Sequence, residues 1–363
     1  MTMAPARKSP PQSEAAALKA IAAGALDADA GCRDLAGDLH LLVTSGLLDR
    51  LCVFPATPQE VQAQATWLRR IGRASLSVGR LAEGHMNALK LVSLYGTPSQ
   101  VKRHTAAARL GAIYGVWGAD GDPPVRIDAD TGGLLRLSGG KRFASGLGTV
   151  SHAVVTAGGS DGLRLAIAEV RDPKRADAAA WDTSGMRATA SGSYDFNGAT
   201  AEPLGAAGDY MREPHFQGGV WRYAALHTGG LEALAEEVRR AVGATQSPGE
   251  AQLHRLARIA GLAHRARLMV EDAAARAEAP GAGLEAVALS LAAREEVEAA
   301  CLEGIALADR ALGTRSFAKG HRVELVRRDL GFFLRQADLD GKLRQVAEAL
   351  CVTNAPIGEI WSE

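Results

Sequence analysis

The side chains best suited to chemistry are few and scattered, and each has an ordinary structural reading. Trp117 and Phe143 stand among small residues in the middle third of the chain, where buried aromatics usually just pack. Ser145 precedes Gly146, a turn pairing, although its hydroxyl can also donate to a ligand. Arg187 and the adjacent Arg328 and Asp329 read first as ion pairs at contacts between domains. His227, just before Thr228-Gly-Gly230, reads as a packing histidine on a helix. Cys32, Cys52, Cys301 and Cys351 are too dispersed for a metal knuckle and too few for a disulfide framework.

The elements that would position these residues fall into three blocks. Residues 1–13 carry Arg7, Lys8 and three prolines without a following apolar stretch, and read as a disordered arm and not as a secretory signal. Residues 14–110 are Ala/Leu-rich with helical spacing, as in Trp67, Leu68, Ile71, Ala74 and Leu76, and predict an N-terminal helical domain. Pro55 to Pro58 interrupts it, and Tyr95-Gly-Thr-Pro98 marks a helix stop with a fresh start at Ser99. Residues 111–205 turn to short β-type runs, Leu134–Leu137, Ala153–Ala157, Leu163–Val170 and Tyr194–Phe196. Gly132-Gly133, Gly139-Gly140 and Gly158-Gly159 are suited to the positive φ of tight antiparallel connections. In residues 206–363 helical periodicity returns, with Leu253, Leu256, Ile259, Ala260, Ala263, Ala266 and Val270 on one face, predicting a C-terminal helical bundle. Helical, then β, then helical is an α+β order; α and β elements do not alternate, and no GxGxxG follows a strand, which argues against a doubly wound nucleotide-binding sheet.

Charge narrows the partners. Lys+Arg and Asp+Glu are both 41 in 363 residues, so no bulk basic field exists to hold nucleic acid or an anionic membrane. An anionic ligand must be gripped by locally placed cations or helix N-termini. No run of about 18 apolar residues suggests a transmembrane helix, and the cysteine usage fits a reducing cytoplasm.

Three segments, Tyr114-Gly-Val-Trp-Gly-Ala-Asp120, Gly140-Lys-Arg-Phe-Ala-Ser-Gly146 and Trp181-Asp-Thr-Ser-Gly-Met-Arg-Ala-Thr189, resemble in order and spacing the β-domain of the acyl-CoA dehydrogenase-like flavoproteins. Tyr95-Gly-Thr-Pro-Ser-Gln100 and Val323-Glu-Leu-Val-Arg-Arg-Asp329 extend the resemblance across residues 35–350. It implies that FAD lies against the β-domain, with Trp117, Gly118 and Ala119 on one loop and Phe143, Ala144 and Ser145 on a second, the aromatic covering the ring and small groups reaching its polar edge. It places His227 and Arg222 beside the substrate, Gly313 in a turn used across a subunit interface, and a homodimer or homotetramer around the whole.

The pattern also departs from the family. The usual catalytic glutamate is Ala337 here, and Asp338, one residue on, would point about 100° away on a helix; it is the candidate base that remains. A second subgroup's glutamate falls close to Arg222, within Trp221-Arg-Tyr223. Gln336-Ala-Asp-Leu-Asp-Gly-Lys-Leu343 instead is similar to the loop of flavin-dependent monooxygenases of the same fold, with Lys342 in register. Ala244-Thr-Gln-Ser-Pro-Gly-Glu250 stands where the family grips the ADP half of FAD, so FMN, or no flavin, also stays open. The resemblance implies an oxidoreductase of acyl-CoA dehydrogenase type acting on an acyl-CoA or related small molecule. The alternatives are a monooxygenase of the same fold and a non-catalytic paralogue serving as a ligand-binding or assembly subunit.

Overall fold

In the computed structural model, residues 13–335 and 339–362 are described. Six helices open the chain: α1 (Glu14–Asp29), α2 (Ala36–Thr44), α3 (Leu47–Leu51), α4 (Pro58–Ala74), α5 (Leu76–Tyr95) and α6 (Pro98–Arg109). The two proline-bearing breaks become helix starts of the same design. Thr57 and Thr97 each cap a helix with Pro at the first position, and Glu60 and Gln100 reach back to the cap backbone N–H. This reciprocal box satisfies donors that the first turn would otherwise leave bare.

Nine strands follow: β1 (Tyr114–Trp117), β2 (Arg126–Thr131), β3 (Leu134–Ser138), β4 (Gly140–Ala144), β5 (His152–Gly159), β6 (Gly162–Glu169), β7 (Ala176–Asp177), β8 (Gly192–Asp195) and β9 (Ala199–Leu204). The larger sheet runs β1-β5-β2-β3-β9-β6 and curls back on itself where β6 also pairs with β5; β4-β8-β7 form a smaller sheet. Antiparallel pairing predominates, the exceptions being β1 with β5, in register Tyr114↔His152 to Trp117↔Val155, and a single β2–β5 pair. Gly132 and Gly133, at φ 63° and 84°, turn β2 into β3 as the twist of a two-residue hairpin requires. Gly158 and Gly159 do not serve this way. They lie within β5, where Gly159 pairs with Gly162, so Ser160 and Asp161 make the turn and the positive φ, 123°, falls on Gly162.

The remaining helices are α7 (Trp221–Gly243), α8 (Glu250–Ala277), α9 (Leu284–Leu312), α10 (Arg322–Phe333) and α11 (Leu339–Val352). Helix α7 crosses α4 so closely that a Cβ on Gly72 would meet the Leu226 carbonyl oxygen at 2.5 Å, and one on Gly229 would strike that of Arg69. Two bare backbones let the N-terminal and C-terminal helical regions share one core. On α8 the buried stripe runs Ile259, Leu262, Ala263, Ala266, Val270, Ala273, Ala274 and Ala277. Leu253 and Ala260, expected on that face, are exposed. A true period of 3.6 carries the stripe past them, leaving Leu253 47% exposed.

Candidate functional site

Helix α5, strand β1, the start of α7 and α11 enclose a cleft of about 560 Å³, within the range of small-molecule sites. Its apolar wall is Leu91, Leu94, Val116, Met211, Phe216 and two tyrosines, Tyr210 and Tyr223. Its polar groups include Glu83, Asn87, Lys90, His215, Gln217 and Arg222, with Lys342 and Gln345 from α11. A larger trough, about 1630 Å³, runs along α1, α4, α7 and α8 and shares no residue with the cleft. Several of its arginines are committed to carboxylates, Arg69 to Glu232 at 2.6 Å and Arg240 to Glu237 at 2.8 Å among them, so the cleft is the better candidate.

A buried ionic cluster forms one end of the cleft. Glu278, at the end of α8, accepts both oxygens' worth of contact from Lys90 Nζ at 2.7 and 2.5 Å, a bond from Trp221 Nε1 at 3.2 Å, and another from Arg222. Burial works to raise Glu278, but Arg222 and Lys90 outweigh it and hold the carboxyl down to about 2. Burial lowers Lys90, and the neighbouring Arg222 adds to the effect, so that the amine comes down to about 7 although Glu278 opposes both. Glu83, 4% exposed, is tied to Arg80 at 2.8 Å and to Asn87.

On the β-domain side, β4 is irregular between Lys141 and Ala144. The distortion throws Phe143 outward at φ 54°, leaving the residue 55% exposed, a conformation that costs energy in a bulky residue and tends to occur at functional sites. Trp181 meets the Phe143 ring edge-on at 6.2 Å, and the Arg142 guanidinium lies 5.2 Å from its centre. Ser145 is buried; its Oγ accepts from Ser191 Oγ at 2.9 Å and lies 3.5 Å from the Phe143 carbonyl oxygen. That is long for an O–H···O bond. Trp117 is core: it is 2% exposed, packs on Tyr194 at 5.4 Å, and donates from Nε1 to the Ser145 carbonyl at 3.1 Å. A small cavity of about 10 Å³ lies between Ser145, Trp117 and α5, and Val116 lines both it and the cleft. The exposed Phe143 ring offers a flat apolar wall, in keeping with a flavin against the β-domain, whereas Ser145 faces only the 10 Å³ cavity.

Lys141, which the sequence reading passed over, holds the first loop in place. It is fully buried, and its Nζ donates to the Gly118 carbonyl at 3.2 Å, Asp120 Oδ1 at 2.5 Å and Thr156 Oγ1 at 2.7 Å. The Ala119 carbonyl accepts from Arg142 N–H at 3.0 Å. Ala144 is fully buried beneath Phe143. Arg222 and Lys342 line the cleft, as does none of Gly313, Phe143 or His227. Gly313 ends α9 at φ 61° in open space. His227 is fully buried against Phe333 at 4.6 Å and Tyr223 at 5.6 Å, and burial lowers it to about 3; it is a neutral packing residue, not a wall of the cleft. Ala337 and Asp338 lie outside the described residues.

No protein-family model matches the chain, and no curated protein does. Solved structures do. FMN-bound TdsC from a Paenibacillus species, a dibenzothiophene monooxygenase, superposes with a TM-score of 0.78 at 18% identity, over 95% of this chain and 98% of that one. KijD3 in complex with FMN and a dTDP-linked amino deoxy sugar reaches 0.77 at 17% identity, over 96% and 95%. The methanesulfinate monooxygenase MsuC from Pseudomonas fluorescens reaches 0.75 at 21% identity, over 97% and 100%. Helices, a central β-domain and helices again, in the same arrangement over nearly the whole of each chain, give this protein the acyl-CoA dehydrogenase fold.

Proposed function

We propose that the chain is a flavin-dependent oxidoreductase that oxygenates a small molecule in the 560 Å³ cleft and does not desaturate an acyl-CoA. The observation that carries this reading is the identity of the cleft's charged groups. Removing an α-proton needs a carboxylate free to accept it. Among the described residues lining the cleft the sole carboxylate is Glu83, tied to Arg80 and Asn87, and Glu278 at its end is occupied by Lys90, Arg222 and Trp221. The α7 position where a base would stand holds Arg222, locked to Glu278.

A bound flavin supplies two-electron redox chemistry and, when reduced, the activation of oxygen. The protein's part is to seat the ring and exclude water. Phe143, with Trp181 behind it, would cover one face; Lys141 would keep Gly118 and Ala119 in place. FMN is favoured over FAD, because the 244–250 connection lacks the motif for an ADP half and because TdsC and KijD3 hold FMN. A homodimer or homotetramer is in keeping with exposed Leu253 and Leu268 on α8 and Leu284 and Leu302 on α9. Four free cysteines suit a reducing cytoplasm, and among the described residues no helix is long and apolar enough to cross a membrane.

The test is a titration with FMN read near 450 nm, followed by oxygen uptake with NADH and a flavin reductase. We expect saturable FMN binding, uptake that depends on the protein and a small-molecule substrate, and no anaerobic bleaching by butyryl-CoA. Bleaching by butyryl-CoA returns the dehydrogenase reading. A protein that ignores every flavin is a binding or assembly subunit.

A further inference from the structure

The cluster at the end of the cleft is unbalanced. Two cations, Lys90 and Arg222, share the single carboxylate of Glu278, and their side chains are only 10% and 4% exposed. Glu278 is saturated, since it already receives Lys90, Arg222 and Trp221. Arg222 is not. Arg222 Nε is buried without a hydrogen-bond partner, as is His215 Nδ1 beside it in the cleft wall. A guanidinium has five N–H donors and an ammonium three, and leaving such donors dry costs free energy unless an acceptor arrives. Burying a net positive charge carries the same penalty, which an anion in the cleft would remove. The depressed Lys90, facing Arg222, Glu278 and His215, agrees with a site short of one negative charge.

Resting on the reading of this cleft as a substrate chamber, we propose that the substrate is a small organic monoanion, with a carboxylate or other oxyanion gripped by Arg222 and Lys90. Its body is apolar or aromatic, and lies against Phe216, Tyr210, Tyr223 and Leu94. The overall charge of the chain is zero, so the attraction is local to the cleft and extends little beyond a Debye length, about 8 Å at physiological salt. Arg222 is then a specificity residue: it chooses an oxyanion over its neutral isostere, because the isostere leaves the buried donors unsatisfied.

Benzoate, benzenesulfonate and benzamide are the probes, titrated calorimetrically into the full-length protein, with FMN titrated separately. Benzoate or benzenesulfonate should bind, and benzamide on the order of 10–100-fold more weakly. Arg222→Met should weaken the anion by a similar factor and leave the FMN affinity within about twofold; Lys90→Met should act in the same direction. Equal binding of benzamide and benzoate to the unsubstituted protein overturns the proposal, and does so even if both variants fail to fold. If Arg222→Met weakens FMN and not benzoate, the cluster holds a cofactor phosphate and the proposal is also overturned. FMN binding without anion binding sinks this inference and leaves the flavin reading standing; anion binding to a protein that ignores flavin does the reverse.

Discussion

Two ionic clusters each tie three distant elements together, and the contrast between them separates a structural joint from a site. At the joint, Asp29 at the end of α1 accepts from Arg187, in the β-domain segment before β8, and from Arg328 of α10 at 2.8 Å. Burial acts against the Asp29 carboxylate, but the two arginines outweigh it and lower its pKa. Arg328 also reaches Glu324 at 2.8 Å and the Ser184 carbonyl at 2.7 Å. Next to it, Asp329 accepts from the Met186 N–H at 2.8 Å. Every cation there meets a carboxylate, and Arg187 is still 48% exposed. The cleft cluster of Lys90, Arg222 and Glu278 is drier, has two cations to one carboxylate, and opens on a cavity. A closed network in which carboxylates match or outnumber the cations holds elements together; an open one with a surplus of cations is prepared for something absent from the chain.

The sharpest way to break this contrast is to remove the central carboxylate from each cluster. Glu278→Gln strands two buried cations and should destabilise the fold by about 3–5 kcal/mol. Asp29→Asn leaves Arg328 with Glu324 and Arg187 half in solvent, and should cost roughly 1–2 kcal/mol. Urea unfolding midpoints measure both, and equal losses would make the cleft cluster a structural joint like the other.

Asp329 sharpens the joint's side of the comparison through pH. Burial raises its carboxyl to about 7, with the Met186 N–H and Arg328 opposing. Because the folded pKa lies above the unfolded value, the native state binds the extra proton. Its stabilising contribution is full below pH about 4 and is lost as pH rises to about 7. Asp329→Asn keeps an acceptor for Met186 and has no charge to bury. Relative to that variant, the parent protein should therefore lose on the order of 3 kcal/mol between pH 4 and 8. A parallel pair of stability curves would remove the buried charge from the account.

Phe143 tests whether the open part of the molecule can be altered without disturbing the closed part. Phe143→Ala should weaken flavin binding by roughly 1–3 kcal/mol, while thermal stability barely moves, since the residue is 55% exposed. A large drop in melting temperature with unchanged flavin affinity would return Phe143 to the core. The smallest effect belongs to Arg187→Ala, below about 1 kcal/mol and diminishing with salt, because the side chain is half in solvent.

How far these features can be read in advance depends on the separation of the partners. Capping boxes at Thr57 and Thr97, the Gly132-Gly133 turn and the order of helical and β blocks involve residues a few positions apart, so local propensity and periodicity suffice. The Phe143-to-Ser145 segment is different: by residue type alone it reads as core and turn, and only its resemblance to the β-domain of acyl-CoA dehydrogenase-like flavoproteins marks it as a candidate ring site. Sequence reading also recognised Arg187 and Arg328 as ion-pair residues, though not that they share Asp29. It placed Arg222 near substrate but had no means of finding Lys90 or Glu278, which lie 188 residues apart. Nor could it find Lys141's role, which turns on the alternation of one short strand.

From the sequence alone came the α+β block order, the proline breaks between helices and the absence of a bulk basic field, and, through the resemblance, the loss of carboxylates where such enzymes carry their base. The first three are properties of residue type and near-neighbour spacing. Only the tertiary structure decided that His227 packs away from the cleft, that β4 is bulged so Phe143 faces outward at positive φ, and that two cations and one carboxylate converge at the cleft's end. Burial, strain and charge balance are set by which distant segments meet, and those meetings exist only once the helices and the sheet have closed on one another.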